Sequence, residues 1–176
     1  DERVLRAIQT VVDERLGRPV IIARRRIVEQ RIAALDLRWR MDQDVEIVDP
    51  EERDGLLHSL VAPYQAKVAR QGLALEEAKR LIYRRPSVAA AMLLHSGHVD
   101  AALVGGNSEW WGQVKLVLPI IARRPDVKRV HALSALILKE GSLFLTDTHM
   151  VPDPSAEEIA RMTILSAEAI RRFGIE

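Results

Sequence analysis

The chain has 176 residues, 48% hydrophobic and 29% charged, the length and balance of one globular domain or of a domain plus the start of another. Lys and Arg number 26 against 25 Asp and Glu, so a net charge of +1 supplies no global field for nucleic acid or anionic lipid, and any anion site must be local. The absence of cysteine excludes a disulfide framework, thiolate catalysis and Cys-ligated zinc here, and no apolar run approaches the roughly 20 residues that span a bilayer. A cytoplasmic protein is expected. The start at Asp1-Glu2-Arg3, with neither initiator Met nor basic leader, reads as part of a longer chain.

Val4, Leu5, Ile8, Val11, Val12 and Leu16 recur at helical spacing, with Gly17 as a stop. Pro19 to Ala23 is a short apolar run, the pattern of a strand covered on both faces in a parallel sheet. Arg24 to Leu35 sets Ile27, Val28, Ile32 and Leu35 on one helical face, and Val45 to Val48 is a second strand ended by Asp49-Pro50. Glu51 to Gly97 is helical, broken at Gly72 and near Pro86, and Ala89 to Leu94 is apolar enough for a buried helix. Asp100 to Val104 is a third strand candidate that runs into Gly105-Gly106-Asn107-Ser108, and Gln113 to Arg123 returns to helix, with Val114, Val117, Leu118 and Ile121 as its stripe. His131 to Leu138 and Leu143 to Thr146 flank Lys139 to Ser142, the pattern of a β-hairpin. The last helix starts at Asp153-Pro154-Ser155, Pro154 suiting a first turn and Ser155 with Glu158 a capping box, and Gly174 ends it. The order predicts an α/β fold with a largely parallel sheet flanked by helices plus a hairpin, and the final helix without a return strand predicts truncation.

Six stretches or residues are candidates for chemistry. Gly105, Gly106, Asn107 and Ser108 follow a predicted strand, where α/β sheets bind ligands and glycine lets a backbone come close; a tight strand-to-helix turn is the other reading. Lys115 lies in the first turns of the next helix, off its apolar stripe, within reach of an anion at the loop or of solvent. Arg24-Arg25-Arg26 and Arg84-Arg85 are phosphate candidates or solvated charges, and adjacent Trp110 and Trp111 cannot share one helical face, so at least one is expected in the core or at a subunit contact. Asp147-Thr148-His149 offers a base with a partner, or an Asx-type turn. The five histidines, at 58, 95, 98, 131 and 149, show no metal spacing, with no carboxylate motif around His95 and His98, so no metal is predicted. No Walker A loop, dinucleotide fingerprint or Gly-x-Ser-x-Gly elbow occurs.

Several stretches in order resemble the phosphate acetyl/butyryltransferase family: Asp1 to Ala7, Val11 to Glu14, Arg18 to Ile22, Val99 to Gly106, Phe144 to His149, Asp153 to Ala160 and Arg172 to Glu176. The opening, the close and Asp147-Thr148-His149 most resemble the version fused behind the catalytic domain of bacterial malic enzymes. The resemblance implies a two-lobed phosphotransacetylase-like domain whose first part is residues 1–176, about 1–130 forming the first lobe and about 131–176 the start of the second. It implies a coenzyme A thioester as ligand, acetyl-CoA as an effector, a homo-oligomer, and NADP with a divalent metal in a separate malate-oxidising domain. The family's catalytic serine, arginine and aspartate lie further along, so no catalytic residue is assigned here. Where active transferases carry a Thr-Thr-Gly-Asp-like stretch and an arginine, this chain has Glu109 to Gln113 and Lys115, a point charge in place of a bidentate fork. An acetyl-CoA-responsive regulatory domain is therefore expected over an active acetyl or butyryl transferase or a purely structural lobe.

Overall fold

The computed structural model describes residues 1–105, 110–147 and 149–175. The chain divides into two compact units, Asp1–Ala122 and Arg123–Glu176.

The first unit opens with helix α1, Glu2–Asp13, whose N-terminus is capped by the Asp1 carboxylate accepting from the Arg3 N–H at 2.9 Å. The helix ends before the predicted glycine stop: Arg15 takes the left-handed conformation at φ 54°, and Leu16 is left 69% exposed. The buried face of α1 is Leu5 and Ile8; Val4 points out. Strand β1, Val20–Ile22, pairs in parallel with β2, Glu46–Val48, in the register Ile21 to Ile47. Helix α2, Arg25–Ala34, makes the crossover.

Strand alternation explains how this small sheet is covered on both sides, as its unbroken apolar sequence predicts. Ile21 and Ile47 pack into a cluster with Leu5, Ile8, Val28 and Trp39, whereas Val20, Ile22 and Val48 pack into the main core. Trp39, only 2% exposed, closes the first cluster and donates its indole N–H to the Leu5 carbonyl at 3.4 Å.

The main core is helical. Short α3, Leu56–Ser59, leads into α4, Val61–Val68, and a 3₁₀ turn ends at Gly72, whose φ of 77° is the left-handed conformation glycine tolerates. Then come α5, Leu75–Arg84, and α6, Pro86–His95, separated at the predicted proline. Val88, Ala89 and Met92 of α6 have no exposed surface, which accounts for an apolar sequence with no polar face. Leu57, Ile82 and Met92 are fully buried, and each contributes roughly 1.5–3 kcal/mol through burial.

The third predicted strand does not form. Residues 101–105 have no regular structure, no ladder partner stands beside them among the described residues, and Leu103 is 101% and Val104 41% exposed. An apolar run becomes a strand only when a neighbour takes up its backbone hydrogen bonds. Helix α7, Trp110–Val117, starts earlier and stops sooner than the pattern suggests, because Pro119 disfavours helical backbone at Leu118.

In the second unit β3, Leu133–Leu138, and β4, Gly141–Thr146, form an antiparallel hairpin with Leu138 opposite Gly141. Its connection is therefore Lys139-Glu140 alone, shorter than the predicted four residues, with Gly141 at φ 145° opening β4. Helix α8, Ala156–Arg172, packs on β4 and brings Phe173 to a ring distance of 6.4 Å from Phe144. Ser155 and Glu158 make the expected capping box, the Glu158 N–H donating to Ser155 Oγ and the Ser155 N–H to Glu158 Oε2 at 2.9 Å. Pro154 precedes the cap and is not part of the first turn. No helix among the described residues is long and apolar enough to cross a membrane.

Candidate functional site

Of the five residues singled out for a ligand, two lie among those described. Gly105 adopts φ 150°, a backbone conformation that side chains resist, and a Cβ there would meet nothing within 4 Å. The glycine is thus required by the backbone path and not by crowding. Because no strand precedes it, its place at a strand end no longer supports a pocket. Gly106, Asn107 and Ser108 lie outside the described residues.

Lys115 sits on the exposed side of α7, as its place off the apolar stripe predicts. Its ammonium lies 5.2 Å from the Trp111 ring centroid, within range of a cation–π contact. Trp110 and Trp111 meet edge to face at 5.5 Å, although they are sequence neighbours. Neither is buried, and Trp111 is 36% exposed. The arrangement is a cation resting on an accessible aromatic pair, suited to an anion beside a flat or apolar group.

The other candidates sort clearly. Arg25 is committed: its guanidinium grips Asp42 through both terminal nitrogens at 2.7 and 2.9 Å, and its N–H donates to Asp49 Oδ2. The hydrogen bond to Asp42 raises the guanidinium pKa and lowers that of the carboxyl. Arg24 lies 3.7 Å from Glu51, so two of the three adjacent arginines are answered by carboxylates and bind the chain to itself.

Of Asp147-Thr148-His149, Thr148 lies outside the described residues, and Asp147 is bound by backbone groups and has an unexpected partner. Asp147 Oδ1 accepts from the N–H groups of Ala132, His149 and Met150 at 3.0 to 3.2 Å. The imidazole facing its other oxygen belongs to His131, with Nδ1 3.5 Å from Oδ2 and side chains 8% and 1% exposed. Neither of those two atoms has a hydrogen bond among the described residues. Burial pushes the Asp147 carboxyl up, but the three backbone donors, with His131 beside it, outweigh burial and hold it below the usual carboxylate range. His131 also lines a cavity of about 320 Å³ with Arg129, Ser155, Glu158 and Arg161. Nothing in the sequence near Asp147 points to His131, because the hairpin register alone brings the two ends together.

His98 also gains a partner across the chain, Glu46 of β2 at 2.7 Å, a pairing that its local sequence does not record. Among the described residues no group of three or more His, Asp or Glu side chains could hold a metal.

Residues 1–176 match the model of the phosphate acetyl/butaryl transferase family from end to end. The chain belongs to that family. It is 39% identical over 175 residues to an NAD-dependent malic enzyme of Rhizobium meliloti, covering 99% of this chain and 23% of that protein. To an NADP-dependent malic enzyme of Haemophilus influenzae it is 36% identical over 176 residues, with 100% and 23% covered. A phosphate acetyltransferase of Bacillus subtilis is 24% identical, with 100% of this chain and 53% of that protein covered. Among solved structures, a phosphotransacetylase from Streptococcus pyogenes matches with a TM-score of 0.82 and 26% identity over 99% of this chain and 52% of its own. The chain thus spans about a quarter of these malic enzymes and about half of the solved phosphotransacetylase, and the α/β fold expected from the sequence is that of phosphotransacetylases.

Proposed function

We propose that this chain is the first part of a regulatory phosphotransacetylase-like domain of a malic enzyme, binding acetyl-CoA as an inhibitor and contributing to a homo-oligomer. The observation that carries this reading is the contrast in identity over the whole chain: 39% and 36% to malic enzymes against 24% to a phosphate acetyltransferase. Lys115 supports it. A lysine held over Trp111 offers a point charge and an aromatic surface, which suits binding a thioester's anionic end without gripping an acyl phosphate in two places. Gly105, Gly106, Asn107 and Ser108 are kept beside Lys115 as the proposed ligand-binding residues on the family resemblance alone. Exposed hairpin side chains, Ile137 at 88% and Leu138 at 56% among them, support a contact with a further surface in the oligomer. The parent is cytoplasmic, and its separate malate-oxidising domain holds the divalent metal and the nucleotide. NADP was expected, and the relatives named both NAD- and NADP-dependent make the nucleotide itself part of the test.

The experiment is malate-dependent reduction of NAD and of NADP by the full-length parent, titrated with acetyl-CoA, beside Lys115→Ala. A coupling of roughly 1–3 kcal/mol shifts malate affinity or turnover by about 5- to 150-fold. Identical curves with and without acetyl-CoA overturn the regulatory reading; inhibition that survives Lys115→Ala unchanged keeps the regulation and discards the residue. The end-to-end family match favours a second reading, an active acetyl or butyryl transferase. Coenzyme A-dependent consumption of acetyl phosphate by the full-length parent decides it.

A further inference from the structure

The junction of α5 and α6 gathers three arginines around one concavity. Arg80, Arg84 and Arg85, with Leu81, line a cavity of about 340 Å³. Spacing of four residues on a helix puts Arg80 and Arg84 on one face, and Arg85 turns out of the helix at φ −120°, ψ 93°. Only one of the three charges is answered: Glu77 accepts from Arg80 Nε at 2.8 Å. The side chains of Arg84 and Arg85 make no ion pair or hydrogen bond among the described residues.

The start of α6 makes this arrangement unfavourable unless something joins it. Arg85 occupies the N-cap, where a short side-chain oxygen usually accepts from the first turn, and no side chain caps this helix. A cation there also opposes the positive end of the helix dipole. Pro86 has no N–H, and those of Val88 and Ala89 donate to the Arg85 carbonyl at 2.9 and 3.2 Å. The N–H of Ser87, a residue 5% exposed, has no backbone partner among the described residues.

Two unpaired guanidinium forks and a third beside them offer more donors than one carboxylate can accept, whereas a phosphate presents three oxygens to bidentate arginine. We propose that the α5–α6 junction binds a phosphate-bearing ligand, gripped by Arg84 and Arg85, with Arg80 at its edge. The anion takes the place of the missing cap and cancels the excess charge. No residue of this site belongs to the Lys115 reading, so either can fail without the other.

The test is calorimetric titration of the 176-residue chain with inorganic pyrophosphate at low salt. Saturable binding is expected, weakening as ionic strength rises and about tenfold or more weaker in Arg84→Ala/Arg85→Ala. Arg84→Lys, which keeps the charge and loses the fork, should fall between, and circular dichroism shows that each variant is folded. A parallel titration with adenosine 3′,5′-bisphosphate separates the sources. Tighter, competitive binding assigns the site to a nucleotide phosphate, and weaker competition assigns it to an inorganic one. No saturable heat with the unaltered chain, or equal affinity in the double variant, overturns the proposal.

Discussion

Replacing Asp147 with alanine removes the acceptor that ties the end of β4 to the start of β3. Its Oδ1 holds three backbone N–H groups, from Ala132, His149 and Met150, on a side chain 1% exposed. A donor stranded on burial costs about 1–3 kcal/mol, and because these donors lie near the surface the lower bound applies to each, about 3 kcal/mol in total. Asp147→Asn keeps a carbonyl acceptor and loses only the charge, so its cost is about 1 kcal/mol. The assay is urea unfolding followed by circular dichroism, with amide exchange over Leu133 to Thr146. Fluorescence is unsuitable: Trp39, Trp110 and Trp111 all lie in the other unit. Because the folded carboxyl titrates below its unfolded value near 3.9, its stabilisation is complete above about pH 4 and is lost as pH falls through the folded value. Asp147→Asn should flatten that acid limb, leaving the part due to the other carboxyls held low: Glu158 by the Ser155 N–H, Asp42 by Arg25 and Glu77 by Arg80. Equal stability of the alanine and asparagine variants, or an acid limb unchanged in asparagine, refutes the reasoning.

Trp39→Ala should destabilise the first unit by about 3–5 kcal/mol, since it empties the centre of the smaller cluster, and denaturant midpoints monitored by circular dichroism measure it. Ser155→Ala opens the capping box of α8 and should cost about 1 kcal/mol; Ser155→Asp, which restores an acceptor, should recover most of it in the same unfolding experiment. Gly105→Ala meets no neighbour, so its destabilisation of about 1–3 kcal/mol comes wholly from φ 150°; a loss below 0.5 kcal/mol by thermal unfolding contradicts that.

Sequence by itself determined the elements whose signals are local. The parallel pairing of Val20–Ile22 with Glu46–Val48 follows from two unbroken apolar runs joined by a helix, the buried α6 from a run with no polar face, and the cap of α8 from Ser155 and Glu158 three residues apart. The family was legible too, in short stretches recurring in the right order. Tertiary structure decided what depends on residues far apart. Whether Asp100 to Val104 is a strand turns on a neighbour to pair with, which hydrophobicity cannot report, and Leu103 is fully exposed without one. Trp39 reaches the core through Leu5, 34 positions away, and His131 reaches Asp147 through a hairpin register that no local pattern records. The arginines were visible as charges in both cases, but only the fold shows Arg25 clasped by Asp42 while Arg84 and Arg85 stand unpaired around a cavity. Charge is a property of sequence; whether a charge is already answered is a matter of distance, and distance is set by packing.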